Sequence, residues 1–429
     1  MPFNLVSLFI RTITARIDHS LILNRKSRLV IVGAGILGLS VALESLRRFP
    51  SIDVKILEKE AVAGSHASGR NSGVIHAGLY YQRSSMKADF AVRGNIMMRK
   101  YMEENALPMR KIGKIIVAKS EADLINLQKI FSRAIENKAK IELLNENELT
   151  HYEPLAKTYK KFLWSPNTAI GSPQKLIQAL EDDFLSLGGA IIFRSKVSKI
   201  EDCRILLESG EDYPFDHLVN CAGTGALSVA NKIELGKKYM QLPVAGGYLS
   251  TPLENLPLNR LVYSAPHPLS PFLGVHFTQT LDGRIRVGPS AIPLLGSEQY
   301  FLYSKIRFRE SIESLNSLLT IVSKNPSYAS KVLINQVKAG TKNGMLLAAK
   351  ELVPSTEIEH GWDRDPAGIR AQLVDRASGK LVDDFIVEQG KNSTHILNAV
   401  SPGWTSAFPF AQHIVDKFIS RDFGPAKEL

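Results

Sequence analysis

Apolar and polar positions follow regular patterns along most of the chain, and at the amino-terminal end they predict a βαβ unit. Residues 29–32 and 54–57 are apolar runs of strand length, and a helix-forming segment separates them. Two buried strands joined by a helix are typical of a parallel sheet. We therefore expect the chain to open with an α/β domain.

Two later segments carry clear helical patterns. Residues 121–137 place five large apolar residues on one helical face, which predicts an amphipathic helix. Ser172 and Pro173 have the character of an N-cap and a first helical residue, and Gly188 and Gly189 end the segment that follows. Two helices are thus predicted between the first domain and the middle of the chain.

Shorter apolar runs predict strands in the rest of the chain. They lie at residues 115–118, 190–193, 197–201, 205–209, 218–221, 384–387 and 395–398. Residues 272–278 and 284–288 flank the turn Asp282-Gly283 and read as a hairpin. Helices are predicted around 305–322 and toward Phe418.

The order of these elements predicts two interleaved domains. A strand followed by a glycine-rich turn and a helix recurs at 218–225 and again at 395–406, as it does at the amino-terminal end. We assign 29–100, 170–235 and 360–420 to a Rossmann-like domain, and 101–169 and 236–359 to a mixed-sheet substrate domain. Residues 1–28 precede both as an extension. The fold class is therefore α/β together with α+β.

The first βαβ unit carries a dinucleotide-binding motif. Gly33, Gly35 and Gly38 have G-x-G-x-x-G spacing directly after the first strand, and Glu58 follows Gly38 by 20 residues at the end of the second. The glycines allow a tight turn, close approach of a diphosphate and close packing of the helix, while the acid can bind a ribose. The alternative is an ordinary glycine-rich turn, but that does not account for the strand, helix, second strand and acid together.

Charge and cysteine content exclude some classes of protein. The net charge is +11, yet the basic residues beyond residue 28 are mixed with acids and form no concentrated stripe, so we predict no nucleic-acid binding. A positive field also suits an anionic substrate. Cys203 and Cys221 have no metal-binding spacing, which indicates a reducing compartment and no metal site.

Residues 1–28 combine apolar residues with scattered arginines and a single acid. This composition is typical of an organelle-targeting peptide or of an amphipathic arm on a membrane surface. A disordered extension, or a start codon placed too far upstream, explains it equally well. The expected location is therefore cytoplasmic, with peripheral contact at the inner membrane, or mitochondrial.

Three motifs carry a resemblance to a known family. They are Asn71-Ser-Gly-Val-Ile-His-Ala-Gly-Leu-Tyr-Tyr81, Pro271-Phe-Leu-Gly-Val-His-Phe-Thr278 and Pro366-Ala-Gly-Ile-Arg-Ala-Gln372. From residue 29 to 415 the chain resembles the D-amino-acid-oxidase-like FAD-dependent oxidoreductases, and within them the L-2-hydroxyglutarate dehydrogenase/oxidase family. Trp404 departs from the small residues that the family has in this turn.

The resemblance implies FAD as cofactor and suggests which residues bind it. Beyond Gly33, Gly35, Gly38 and Glu58, the candidates are Ser68, Asn71, Ser72, Gly73, Gly223, Gly403 and Ser406. The segment 68–73 is small, polar and flexible enough to follow a diphosphate or ribityl chain, although it can also be an ordinary surface loop. The N–H groups of Gly403 and Ser406 are expected beside the flavin pyrimidine.

Oxidation of a 2-hydroxy acid requires a base for the hydroxyl proton, and histidine suits that role near neutral pH. His76 and His276 are the candidates, with His76 favoured, although either can be a structural residue. Tyr81 is a third candidate, as a hydroxyl donor or as part of an aromatic wall.

Arg370 is the candidate for binding a carboxylate, because its guanidinium matches that group in a bidentate contact. A salt bridge to Asp375 or Asp384 is the alternative explanation for this arginine.

The activity implied by the resemblance is oxidation of L-2-hydroxyglutarate to 2-oxoglutarate, by hydride transfer from the α-carbon to flavin N5. The electron acceptor would be a quinone or oxygen. Oxidation of glycine, sarcosine or glycerol 3-phosphate is the alternative within the superfamily. A flavoprotein acting on tRNA is a different class, which the absence of a basic stripe disfavours.

Overall fold

The computed structural model describes residues 26–266, 273–300, 307–326 and 340–424, apart from the side chain of Ala367. Most of the predicted extension 1–28 lies outside the described residues, as does the beginning of the predicted hairpin at 272. Within the described part of the chain, no helix has both the length and the apolar character needed to cross a membrane.

The strands of the described residues are numbered in chain order. They are β1 (Arg28–Val32), β2 (Asp53–Leu57), β3 (Val74–Ile75), β4 (Met109–Arg110), β5 (Lys114–Val117), β6 (Glu142–Asn145), β7 (Lys161–Ser165), β8 (Ala169–Gly171), β9 (Ala190–Ile192), β10 (Val197–Glu201), β11 (Arg204–Leu207), β12 (Asp212–Pro214), β13 (His217–Asn220), β14 (Tyr239–Pro252), β15 (Leu261–Ser264), β16 (His276–Gln279), β17 (Arg284–Gly288), β18 (Ile292–Pro293), β19 (Asp363–Asp375), β20 (Ile386–Gly390) and β21 (Ser393–Asn398).

The α-helices of the same residues include those expected from the sequence, together with four that it did not predict. They are α1 (Ile36–Arg48), α2 (Met86–Glu104), α3 (Glu121–Glu136), α4 (Leu149–Tyr152), α5 (Pro173–Ser186), α6 (Ala226–Asn231), α7 (Phe308–Lys324), α8 (Lys342–Lys350), α9 (Ala407–Ile414) and α10 (Ser420–Phe423). The four helices that were not predicted are α2, α4, α8 and α10. Ser172 caps α5 as predicted, since its side chain accepts a hydrogen bond from the Lys175 N–H at 3.3 Å.

The first sheet is the predicted Rossmann-like layer, with strand order β20-β21-β13-β1-β2-β9. Its strands are parallel except for β20, which runs antiparallel to β21 at one edge. Helices α1, α2, α5 and α9 share one apolar core against it. Because β1 and β13 lie side by side and parallel, their carboxyl ends open at the same edge of the sheet.

The second sheet is mixed, as predicted for the substrate domain. Its order is β18-β14-β17-β16-β15-β5-β7-β6, and β19 also pairs with β14. Strands β5 and β15 are parallel, and the other pairs are antiparallel. Strands β16 and β17 form the expected hairpin, with Gly283 at a φ of +78° in its turn.

One assignment differs from the expected domain layout. Strand β19 lies within 360–420, which the sequence pattern assigned to the dinucleotide domain, but it pairs with β14 in the mixed sheet from Tyr239–Asp375 to Ser250–Asp363. The chain rejoins the first sheet only at β20. The apolar pattern of a strand shows that it is buried and does not show which sheet buries it.

Candidate active site

A cavity of about 1830 Å³ lies where the two sheets meet, and residues of both sheets line it. Gly33, Gly35 and Glu58 lie at one end, and His76, His276 and Arg370 belong to the same cavity. We call these the nucleotide end (residues 33–38, 58 and 64–72) and the substrate end (residues 76–81, 248, 263, 276 and 370). The structure therefore brings both groups of predicted residues into one site.

Two glycines of the motif are required by the backbone itself. Gly33 has a φ of +102°, and a Cβ there would lie 2.7 Å from the Cys221 carbonyl oxygen. A Cβ on Gly38 would lie 1.9 Å from the Gly33 carbonyl oxygen, because the first turn of α1 packs directly on the preceding loop. No side chain fits at either position, so the sequence motif reflects contacts of the folded turn.

Glu58 is buried and holds the turn from the end of β2. Its carboxylate accepts hydrogen bonds from the Ala34 N–H at 2.7 Å and from the Glu60 N–H at 2.9 Å. A carboxylate oxygen accepts more than one hydrogen bond, so Glu58 keeps capacity for ribose hydroxyls.

The predicted loop meets the amino terminus of α1 through Ser68. Its Oγ accepts a hydrogen bond from the Ile36 N–H at 3.0 Å, and a Cβ on Gly35 would lie 2.9 Å from that oxygen. Asn71 closes the loop, accepting from the Gly73 N–H and donating to the Ser68 carbonyl. The amide oxygen and the amide nitrogen of Asn71 both form hydrogen bonds within the loop, so Asn71 stabilises the conformation of this part of the site.

Gly73 and Gly223 differ in their relation to the cavity. Gly73 is absent from the cavity wall, and a Cβ there would lie 2.4 Å from the Gly171 carbonyl oxygen, so it allows β8 to approach. Gly223 lines the cavity, has a φ of +56° and has no atom within 4 Å of an added Cβ. Open space beside a cofactor-binding turn is what the prediction for Gly223 requires.

The turn at 401–406 differs from the predicted arrangement of N–H donors. The Gly403 N–H donates to the Val400 carbonyl at 2.9 Å, and the Ser406 N–H donates to the Pro402 carbonyl at 3.0 Å. Gly403 lines the cavity, whereas Ser406 does not. Both N–H groups are thus used within the turn, because a tight turn satisfies its own backbone first. The buried indole Nε1 of Trp404, a cavity residue, has no hydrogen-bond partner among the described residues.

Thr405 connects this turn with the histidine segment, and no sequence pattern pointed to it. Its Oγ1 accepts a hydrogen bond from the His76 N–H at 3.0 Å and lies 3.4 Å from the Val74 carbonyl oxygen, to which it donates. Thr405 is fully buried. It therefore fixes where the His76 backbone lies relative to the last turn of the first domain.

Both candidate histidines are neutral at physiological pH. Burial, together with smaller effects of the nearby Lys114 and His276, lowers the pKa of His76 to about 3. Burial also lowers the pKa of His276 to about 3, although the hydrogen bond to the Gly274 carbonyl raises it in part. A neutral imidazole can accept a proton, so both are available as bases.

The tautomer of His276 is set by its surroundings. Its Nδ1 lies 2.7 Å from the Gly274 carbonyl oxygen, which can only accept, so Nδ1 carries the proton and Nε2 keeps its lone pair. The ring stacks on Tyr263, with centroids 3.8 Å apart and planes at 16°. By contrast, the buried Nδ1 of His76 has no partner among the described residues.

Arg370 lies on β19 and lines the cavity beside Tyr248. Burial lowers the pKa of its guanidinium, opposed by Tyr248. The two acids considered as its partners are otherwise engaged. Asp384 accepts hydrogen bonds from the first N–H groups of α2, and Asp375 accepts from Ser378.

The aromatic wall contains Tyr80 and Tyr81, and behind it lies Lys114, which no sequence pattern marked as a site residue. Tyr81 hydrogen-bonds to Ser401, and burial raises the pKa of its hydroxyl. Lys114, at the start of β5, is fully buried with its Nζ 4.7 Å from the ring centroids of both Tyr80 and Tyr263. A lysine at the start of an apolar strand is normally exposed to solvent, so the sequence alone does not show that Lys114 is buried.

A third cluster near the nucleotide end groups Glu60, His66 and Glu298, whose ligand atoms lie within 4.8 Å of one another. The Lys59 ammonium already lies between the two carboxylates, with its Nζ 2.6 Å from Glu60. This is an ion-pair network in the cavity wall.

The described residues fit a dinucleotide with a long attached ring system. The glycine turn and Glu58 form a cradle whose shape depends on the absence of side chains at Gly33 and Gly38, where a Cβ would clash with backbone. From that cradle the cavity extends to the unpartnered donor of Trp404 and to the histidines. The Ile36 N–H at the start of α1 donates to Ser68, whereas the N–H groups of Leu37 and Gly38 in the same first turn have no intrahelical acceptor and suit an anion.

Comparisons with known proteins agree with this site. The family model described as FAD dependent oxidoreductase matches residues 28–417. L-2-hydroxyglutarate dehydrogenase of Escherichia coli (strain K12) is 33% identical over 403 residues, covering 90% of this chain and 92% of that protein. The mitochondrial L-2-hydroxyglutarate dehydrogenase of Caenorhabditis elegans is 34% identical over 413 residues, covering 92% and 94%.

Solved structures share the fold at lower identity. L-α-glycerophosphate oxidase from Mycoplasma pneumoniae, with FAD bound, superposes with a TM-score of 0.71 at 20% identity, covering 94% of this chain and 97% of that one. Glycine oxidase from Geobacillus kaustophilus gives a TM-score of 0.68 at 16% identity, covering 94% and 100%. FAD is thus the dinucleotide for which the cradle is built. The chain belongs to the FAD dependent oxidoreductase family and, within it, to the L-2-hydroxyglutarate dehydrogenases.

Proposed function

We propose that this enzyme oxidises L-2-hydroxyglutarate to 2-oxoglutarate. The observation that carries the proposal is the presence of two neutral histidines and a half-buried arginine, Arg370, in the cavity that contains the FAD cradle. FAD, when bound, supplies the oxidant that accepts the hydride from the substrate α-carbon at N5. The protein must then bind an anion and take up one proton.

We assign proton uptake to His276 Nε2. The bond from Nδ1 to Gly274 leaves Nε2 as the basic atom, and the stack on Tyr263 holds the ring plane. His76 has the same low pKa but no partner that sets its tautomer through Nδ1. A base with a fixed tautomer needs no reorganisation before it accepts the hydroxyl proton.

Arg370 is the group we assign to a substrate carboxylate. Its guanidinium lines the cavity, and burial strengthens any contact that it makes with an anion. Tyr81, which hydrogen-bonds to Ser401, borders the same space.

The alternative substrates within this fold are an amino acid of the glycine or sarcosine type and glycerol 3-phosphate. Glycine oxidase and glycerophosphate oxidase have the same fold at 16% and 20% identity, whereas the hydroxy-acid dehydrogenases reach 33–34%. A neutral histidine base also suits an alcohol, which must lose its hydroxyl proton.

The test is anaerobic mixing of the FAD-loaded enzyme with L-2-hydroxyglutarate, D-2-hydroxyglutarate, glycine, sarcosine and glycerol 3-phosphate in separate samples. We expect only L-2-hydroxyglutarate to bleach the flavin absorbance, and 2-oxoglutarate to appear in equal amount. Bleaching by another compound, with none by L-2-hydroxyglutarate, would replace the substrate.

We further propose that a membrane quinone accepts the electrons, and that α7 provides peripheral contact with the membrane. Five apolar residues lie on one face of α7 and are exposed: Phe308 (81%), Ile312 (43%), Leu315 (50%), Leu319 (57%) and Val322 (47%). Arg307, Arg309 and Lys324 lie on the same segment and suit an anionic lipid surface. The start of α7 borders the cavity, which places this face near a route to the flavin.

Sedimentation with phosphatidylglycerol vesicles tests this contact. We expect the enzyme to bind these vesicles, to bind phosphatidylcholine vesicles less, and to lose binding in Leu315→Glu/Leu319→Glu. The acceptor is tested separately, because rapid hydrogen peroxide formation without quinone reduction would identify oxygen as the acceptor.

A further inference from the structure

Lys114 is a buried cation that the proposed reaction does not use. Its side chain is 0% exposed, and its Nζ has no hydrogen-bond partner among the described residues. Burial alone lowers the pKa of its ammonium to about 7, and no neighbouring carboxylate counteracts this. An unpaired buried ammonium destabilises the fold, so its presence needs another explanation.

The surroundings of Lys114 connect it with the substrate end. Its Nζ lies 4.7 Å from the ring centroid of Tyr80 and 4.7 Å from that of Tyr263. Tyr263 in turn stacks on His276, and both tyrosines line the cavity. The hydroxyls of Tyr80 and Tyr263 have no partner among the described residues.

The other titratable and charged groups of this region come from five segments. They are His76, Tyr80 and Tyr81 after β3, Tyr248 on β14, Tyr263 on β15, His276 on β16 and Arg370 on β19. None of these groups is a carboxylate; the cavity carboxylates Asp383 and Asp384 instead act on Lys87. An anion entering the cavity therefore brings a negative charge to the surroundings of Lys114, where no carboxylate of the described residues acts on its ammonium.

The charge of Lys114 reaches the cavity even though its side chain does not line it. Its positive charge lowers the pKa of both His76 and His276, which are cavity residues. In an interior of low dielectric, an interaction across two aromatic rings is weakly screened. The same field attracts an anion.

We propose that Lys114 is a positioning residue that favours dianionic substrates by long-range attraction from behind the tyrosine wall, without contacting them. This inference rests on the proposed function, because it takes the substrate to be a dicarboxylate. Arg370 and Lys114 then offer two positive charges to two carboxylates.

Proton uptake is the direct consequence. In the free enzyme Lys114 titrates near neutral pH, and a dianion in the cavity favours its protonated form. Binding of a dicarboxylate at pH 7 should therefore draw a fraction of a proton from the buffer. As the pH rises through 7, the free enzyme loses this charge and KM should rise.

The experiment compares FAD-loaded wild-type enzyme with Lys114→Met, Lys114→Arg and the control Lys161→Met, whose lysine is exposed at the start of β7. KM and kcat for L-2-hydroxyglutarate are measured from pH 6 to 8.5. Calorimetry with 2-oxoglutarate in two buffers of different ionisation enthalpy gives the proton uptake without turnover.

We expect Lys114→Met to raise KM about tenfold at pH 6 with a much smaller change in kcat, and to make KM independent of pH. Its proton uptake should be lost. Lys114→Arg should keep a low KM across the range, because arginine does not lose its charge. Lys161→Met should behave as wild type.

A pH dependence of KM and a proton uptake that persist in Lys114→Met would overturn the inference and point to Lys87, a cavity lysine with a pKa of about 8. If Lys114→Met does not retain FAD, the same measurements on Lys114→Gln, together with the pH dependence of KM in Lys114→Arg, test the inference instead. Failure of L-2-hydroxyglutarate to reduce wild-type flavin refutes the proposed function instead, whatever the variants show.

Discussion

The nucleotide end and the substrate end of the cavity are built in opposite ways. At the nucleotide end, glycines remove side chains and backbone groups make the contacts, and Glu58 and Ser68 have their partners within the protein. At the substrate end, side chains from five segments converge, and the buried Nδ1 of His76 and the hydroxyl of Tyr80 have no partners among the described residues. A cofactor that stays bound can rely on fixed backbone geometry, whereas a substrate that comes and goes must satisfy polar groups that are otherwise left open.

The largest effect is expected from a side chain placed in the nucleotide end. Gly38→Ala puts a Cβ 1.9 Å from the Gly33 carbonyl oxygen, which must displace the turn and should cost roughly 3 kcal/mol or more. We expect the purified protein to contain no FAD, measured by absorbance at the flavin band.

The control for Gly38→Ala is Gly188→Ala. Gly188 has a φ of +87° but open space around an added Cβ, so only backbone strain of about 1 kcal/mol is expected, with FAD retained. Equal FAD content in both variants would mean that the turn is not held as tightly as its contacts indicate.

Substitutions at the substrate end should lower turnover while FAD stays bound. We expect His276→Asn to lower kcat by roughly 10²–10⁴-fold, because the base that accepts the hydroxyl proton is removed. His76→Asn should have a smaller effect. Anaerobic flavin reduction in a stopped-flow instrument measures the chemical step, and the exposed His151→Asn is the control. A larger loss in His76→Asn would transfer the role of base to His76, the residue that the sequence favoured.

A substitution of Arg370 tests substrate binding at the substrate end separately from the chemical step. Arg370→Met should raise KM for L-2-hydroxyglutarate about 10–100-fold, since a charge-assisted contact to a carboxylate is lost in a buried site. Arg364→Met, exposed on the same strand, is the matched control. An unchanged KM would remove Arg370 from the substrate site, while loss of FAD would place it at the cofactor.

The smallest expected effect is on stability as a function of pH. The folded pKa of His276 is about 3 and its unfolded value is near 6.5, so the unfolded state binds more protons between these values. The free energy of unfolding therefore falls on acidification from pH 6.5, by up to about 1.4 kcal/mol per pH unit for each such histidine.

Urea unfolding of the FAD-loaded enzyme at pH 6.5, 5.5 and 4.5 measures this slope. We expect His276→Asn to have a shallower slope than wild type, whereas the exposed His151→Asn should match it. Parallel slopes in wild type and His276→Asn would mean that His276 titrates normally in the fold.

The same contrast explains what the sequence could predict. The glycine spacing, Glu58 and the capped helices α3 and α5 each follow a pattern within a short stretch of chain, and those patterns revealed them. The placement of β19 and the burial of Lys114 depend on pairing between distant strands, which one sequence does not display. The N–H groups of Gly403 and Ser406 were expected to face the cofactor, but the turn itself uses them.

The order of strands in the first sheet has a consequence for synthesis of the protein. β1 and β2 are synthesised before β13, but the neighbour of β13 on its other side is β21, which begins at Ser393. From the time that β13 is made until β21 follows, β13 is therefore an open strand edge that can pair with other chains. The first sheet, which carries the glycine turn, is complete only once β21 has joined it.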